Sequence, residues 1–175
     1  MRDQTLEKLV TDLTETVRQR YFGKYRGIAE DVEDEENLGR IIAKVPSVYG
    51  DANSPWALPA VPFAGQGHGF VVLPKKGDGV WIEFEGGNPS RPIWTGCWWA
   101  RGEMPMPGGP DERVLVTPEG LKLVLDDAQK KLQLLHPGGA EITLTDKDIT
   151  LKIGSTKIVL SAAGVDINNG ALKVT

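Results

Sequence analysis

The 175-residue sequence holds one cysteine, two histidines, no excess of positive charge and no long apolar run. A single thiol, Cys97, makes no internal disulfide, so nothing in the chain requires an oxidising compartment. His68 has no Cys, Asp or second His at metal-ligand spacing, and His136 stands alone further on, which excludes the usual zinc patterns. With 20 Lys and Arg against 24 Asp and Glu, the net charge is −4, which argues against a nucleic-acid binder. MRDQTLEKLV lacks the apolar stretch of a signal peptide, and no segment is apolar for long enough to span a bilayer as a helix. The expectation is a soluble protein made in a cytosol.

What is plentiful is turn chemistry. The 21 glycines and 12 prolines are spread among short apolar runs, the pattern of a β-rich chain. One helix is expected, over 3–20. Leu6, Leu9, Val10, Leu13 and Val17 recur at helical spacing, Asp3 is placed to cap the start, and Arg18 and Arg20 suit the end of the dipole. Such a helix either packs on its own domain or serves as a docking arm. Five strands then follow: KYRGIAEDV, LGRIIAKVP, GFVVLP, GVWIEFEGG and RPIWTGCWW. Their number and size fit a five-stranded Greek-key barrel of the OB type. ARGEMPMPGGPDER, with three prolines and three glycines, reads as a linker.

After Val114 the chain repeats short strands and turns: VLVTP, LKLVLDD, KLQLLHP, AEITLTD, ITLKIG, TKIVLS, VDIN. The alternation changes phase at DKD and GST, where the chain is placed to turn a corner. One face collects Leu132, Leu134, Ile142, Leu144, Ile149, Leu151, Ile153, Ile158, Leu160, Val165 and Ile167, while Thr143, Thr145, Thr150, Lys152, Lys157 and Ser161 take the other. No later helix is available to cover the apolar face, and the strand edges of one copy stand open to other chains. Three chains around one axis supply both cover and edge partners, so the tail is read as an intertwined trimeric β-prism. A single-chain solenoid is the competing reading.

FGKYRGIAEDVEDEENLGRIIAKVPSVYG, SPWALPAVPFAG and GDGVWIEFEGGNPSRPIWTGCWW together resemble the OB domain of phage baseplate assembly protein V. The same domain is found in central spikes of contractile injection systems and in valine–glycine repeat protein G spikes of type VI secretion. The resemblance covers about residues 22–103, and the strand-repeat tail is similar to the triple-stranded β-helix that follows in those spikes. It implies a mainly β protein in four parts: an N-terminal helical arm over 1–22, an OB domain over 23–103, a linker over 104–113 and a triple-stranded β-helix over 114–175.

The resemblance further implies a non-enzymatic homotrimer within a baseplate, in a phage virion tail or a contractile injection particle, with no cofactor and only transient contact with a target membrane. The OB domains would form a collar beneath a separate hub protein, the chain having no room for a fused one, and Leu6, Leu9, Leu13 and Val17 are candidate hub contacts. Ala171, Leu172 and Val174 would offer a blunt apolar end to a conical tip protein. Two departures matter. Only the linker stands where some spikes carry a lysozyme domain, and VDINNGALKVT has none of the histidines that bind metal at some spike tips.

The remaining motifs read without chemistry of their own. The acidic run from Glu30 to Glu36 lacks the ligand alternation and glycine of a calcium loop and reads as a solvated turn. Glu83 and Glu85 share a strand face without partners for glycosidase work. GQGHG lacks the strand-to-helix context of a phosphate loop. Trp81 and Trp94 are assigned to packing, Trp98 and Trp99 to opposite sides of one strand, Trp56 to a place under the long loop, and Cys97 to a small buried site. A carbohydrate-binding or depolymerising trimeric β-helix would need an acidic groove on the rod. An OB nucleic-acid binder would need positive charge and exposed aromatics.

Overall fold

Small inward residues let a β-sheet curl tightly, and the first half of the chain has them where a curl needs them. The computed structural model describes residues 2–174, and the chain divides into two units, 1–102 and 103–175. In the first unit, α1 (Arg2–Arg18) precedes β1 (Tyr25–Asp31), β2 (Ile42–Lys44), the short α2 (Pro46–Tyr49), β3 (Leu58–Pro59), β4 (Ala64–Gly65), β5 (His68–Gly69), β6 (Gly79–Phe84) and β7 (Pro92–Trp98). Five of the strands make one curled sheet in the order β2-β1-β6-β7-β3, an OB-like half-barrel. Gly27, Ala29, Ala43 and Ala57 line its inside with Ile41, Val45, Val80, Ile82, Phe84 and Trp94. Gly27 shows why size matters, because a Cβ there would meet Val45 Cγ2 at 3.2 Å and Ile82 Cγ1 at 3.3 Å.

An aromatic cluster closes one side of this core. Tyr21, Tyr25 and Tyr49 stand 5.9, 5.5 and 6.0 Å from Phe84, ring centre to ring centre, at the tilted and edge-on angles that aromatic rings prefer. The Tyr49 hydroxyl donates to Pro89 O at 2.5 Å, and burial pushes its pKa up to about 12. The segment after α1 is tied to a turn at Glu85–Gly87, where Tyr21 N donates to Gly87 O at 2.9 Å and Arg20 donates to Gly86 O at 3.0 Å.

Several expectations are corrected here. GFVVLP forms no strand of the sheet. Val71 is 81% exposed, and only Gly69 from this run pairs, in the β4–β5 hairpin. An unbroken apolar run has no alternation to bury one face, and Pro74 removes a donor. The fifth strand is instead β3, parallel to β7. LGRIIAKVP contributes only three paired residues to β2.

The acidic segment is not merely a solvated turn. Asp34, its side chain 4% exposed, accepts from Leu38 N at 2.9 Å and Arg40 N at 3.2 Å and takes the Arg40 guanidinium at 2.6 Å. Arg40 in turn lies over the Trp56 ring at 5.3 Å. The guanidinium beside Asp34 holds its carboxyl well below the usual range. Its contribution is therefore complete above the unfolded-chain value of about 3.9 and is lost as pH falls through the lower folded value. Asp34→Asn is expected to lower the melting temperature of the first unit at neutral pH more than Glu36→Gln does. Part of that difference should disappear in acid, as followed by thermal denaturation across pH.

The second unit is one antiparallel meander: β8 (Glu112–Val116), β9 (Lys122–Asp126), β10 (Lys131–Leu135), β11 (Ala140–Leu144), β12 (Asp148–Ile153), β13 (Thr156–Ser161), β14 (Gly164–Ile167) and β15 (Leu172–Val174). The phase shifts at DKD and GST are hairpin turns. Thr145 Oγ1 accepts from Lys147 N and Asp148 N at 3.1 Å each, and Gly154 takes φ +58 in a two-residue loop. Positive φ is the conformation such hairpins demand. The strand edges expected to reach neighbouring chains are paired within the chain, from β8 through β15, leaving the outer edges of those two strands.

Candidate assembly surface

Register decides which side chains meet, and here it lines up two continuous rows. Leu123, Leu134, Ile142, Leu151, Ile158, Ile167 and Leu172 stand opposite one another strand by strand. So do Leu125, Leu132, Leu144, Ile149, Leu160, Val165 and Val174. Residues two apart on a strand share a face, so both rows and Ile153 lie on one side of the sheet. All eleven of the expected core positions fall there.

This face is open in the single chain. Leu134 is 45% exposed, Leu151 43%, Leu160 47% and Ile153 63%, against 0% for Ile82 in the first unit. Part of it forms an apolar groove of ≈ 600 Å³, lined by Leu115, Leu121, Leu134, Ile142, Leu151 and Ile158 among others. A contiguous aliphatic surface of this kind marks a protein interface. The opposite face carries Gln133, Thr143, Thr150 and Asp166, with cross-strand ion pairs Lys152–Glu141 at 3.4 Å and Lys173–Asp166 at 3.6 Å. The same side also holds Val124, 3% exposed, and Val159, so it is mixed in polarity, while the aliphatic rows stand open.

One part of the surface was missed in the sequence. Leu115, Leu123 and Leu125 extend the rows toward β8, and their alternation in LVT and LKLVLD was the available signal. At the other end, Leu172 and Val174 belong to β15 and continue the same two rows, with Ala171 in the preceding turn. On α1, Leu9, Leu13 and Val17 are exposed, while the side chains of Asp3 and Leu6 lie outside the described residues. No helix among the described residues is long and apolar enough to cross a membrane.

The other candidate chemistry is dispersed. Glu83 pairs with Lys24 at 2.6 Å, and Glu85, beyond the end of β6, pairs with Arg91 at 2.6 Å, so they do not act as a dyad. His68 stacks on Phe63, and His136 Nδ1 accepts from Gly138 N at 2.9 Å within its own turn. No group of three or more His, Cys, Asp or Glu among the described residues is placed to hold a metal. Trp94 is buried and donates to Gly39 O at 3.0 Å, whereas Trp81 is outside the core beside Arg26. Cys97 is exposed rather than buried, although it stands opposite the buried Val80 of β6.

Comparison with known families accounts for both units. Residues 25–99 match the type VI secretion system/phage-baseplate injector OB domain. Residues 112–173 match the phage baseplate V C-terminal trimerisation domain, the segment whose apolar face stands open. No curated protein matches the chain. The two matches leave only the N-terminal helix, a short linker and the last two residues, and both domains are structural parts of a baseplate. With an injector OB domain followed by this trimerisation domain, the chain belongs to the phage baseplate V family of spike proteins of phage and type VI injection systems.

Proposed function

We propose that three copies close their apolar faces on one axis to make the rigid needle of a contractile injection baseplate. The observation that carries this reading is the pair of seven-residue aliphatic rows on a sheet whose backbone bonds are already made within one chain. Such a sheet needs cover more than it needs edge partners.

Strand length supports three copies. A strand of five residues, as in β8 to β11, is about 17 Å long. An equilateral triangle of that side has its centre about 5 Å from each edge, half the roughly 10 Å spacing of packed sheets. Leucine and isoleucine from three faces therefore just meet at the axis. Eight strands at about 4.8 Å spacing stack to about 34 Å, close to the roughly 30 Å hydrocarbon core of a bilayer. A dry aliphatic core and an unbroken hydrogen-bond ladder suit a rod that transmits thrust.

In this reading the OB domains form a collar under a separate hub, with Leu6, Leu9, Leu13 and Val17 of the N-terminal helix as docking residues. A conical tip protein sits on the far end at Ala171, Leu172 and Val174. The spike links hub to tip, helps breach the target envelope without enzymatic action, and touches the membrane only in passing. It works within a phage tail or an injection particle, assembled from cytoplasmic chains. Electron microscopy of the full-length protein tests this: a particle carrying a narrow rod about 34 Å long is expected. A rounded particle with no rod contradicts it.

A further inference from the structure

A three-fold ring cannot be closed by a self-complementary patch. Each copy must offer two different surfaces that fit one another. The first unit has two exposed features that match in this sense. One is a groove of ≈ 840 Å³ formed by the 61–73 segment against the loop after β1. Its floor is apolar, with Phe63, Phe70, Val72 and Leu38 about half exposed, and Val71 projects beside them. Its lip carries Glu33 and Glu35, both exposed and without a cationic partner among the described residues. The other feature is the outer face of β1, β6 and β7. Arg26 is exposed there between two indoles, 5.7 Å from the Trp81 ring and 5.4 Å from the Trp98 ring, with no carboxylate partner among the described residues.

We infer that the acidic-lipped groove of each OB unit receives the Arg26–Trp81–Trp98 face of the next copy around the axis. The inference rests on the trimer reading and adds the second half of the interface. Four facts of the chain converge on a sister copy as the occupant. The groove is apolar where indoles would enter. Its two unpaired carboxylates oppose an unpaired guanidinium. Both surfaces lie on the same chain, as a head-to-tail ring requires. The trimerisation domain follows within a dozen residues of the OB domain, which holds three such units at high effective concentration. A guanidinium held between aromatic rings is already ordered, so less entropy is lost when it meets a carboxylate.

The test is cross-linking of the full-length protein in a Cys97→Ser background, with Val71→Cys on the groove and Lys24→Cys on the outer face, joined by a bismaleimide. Covalent dimers and trimers are expected from the double variant, and neither single variant should give the closed covalent trimer. Adding Arg26→Glu should lower the yield severalfold, and adding Glu33→Arg with Glu35→Arg to that variant should restore it. The mass of the same sample is read by light scattering. A trimer that gives no interchain product overturns the inference, leaves the trimer reading intact and frees the groove for a different protein, the hub included. A monomeric sample overturns both.

Discussion

Leu151→Asp in the full-length chain is expected to abolish the trimer. Leu151 lies at the middle of a row, between Ile142 and Ile158, on the exposed aliphatic face of the sheet. Around a three-fold axis one substitution places three carboxylates close together in an aliphatic core. A buried charge left without a partner costs on the order of several kcal/mol, and here the cost falls three times in one assembly. In the monomer the same side chain is 43% exposed, so the aspartate is tolerated by the isolated sheet and penalised only by assembly. Light scattering should show the variant as monomer, or as disordered aggregate, under conditions where the parent is trimeric. Thr150→Asp, one residue away on the wet face, should leave the mass unchanged. An unchanged mass and melting temperature for Leu151→Asp would mean that the register places the wrong face inward.

Ile82→Ala acts at the opposite end of the same logic. Ile82 is fully buried within one copy, on the central strand β6, with its Cγ1 against the site of Gly27. Truncation removes buried methyl and methylene groups and leaves a cavity that a tightly curled sheet cannot collapse to fill. The expected loss is about 2–5 kcal/mol of OB-domain stability. Urea denaturation of residues 1–112 should show the midpoint falling without a change in slope. In the full-length protein the OB domain should melt early while the trimer persists. Paired with Leu151→Asp, this variant separates what folds one copy from what joins three. Loss of assembly in Ile82→Ala would indicate that the OB domains, rather than the tail, hold the trimer together.

The tail was the most legible part of the sequence, because period-two alternation is a direct consequence of strand geometry. Ile142, Leu151 and Ile158 could be assigned to one face before any contact was known. What alternation could not give was the partner of each edge. Open edges within one copy were the reason to expect strand pairing between chains, yet two-residue loops at Gly154–Ser155 and Ala162–Ala163 return each strand beside its predecessor. In the OB half, apolar content misled where it lacked a period. GFVVLP looked like a strand because it is rich in apolar side chains, but Val71 stands 81% exposed and Phe70 and Val72 each 49%. Asp34 was hidden for a different reason. A carboxylate that organises a loop and one that faces water look alike in a run of acids, and only the position of Arg40 and Trp56 in space distinguishes them. Arg26 between Trp81 and Trp98 was likewise out of reach, since its two neighbours come from two other strands.

The central claim is that the open face of β8 to β15 is covered by two further copies of the same chain. Native mass by light scattering, at two concentrations, on the full-length protein and on residues 1–112, tests it most directly. The account predicts three chain masses for the full-length protein at both concentrations and a single chain mass for the truncated one. A full-length protein that is monomeric while retaining its strand signal would contradict it.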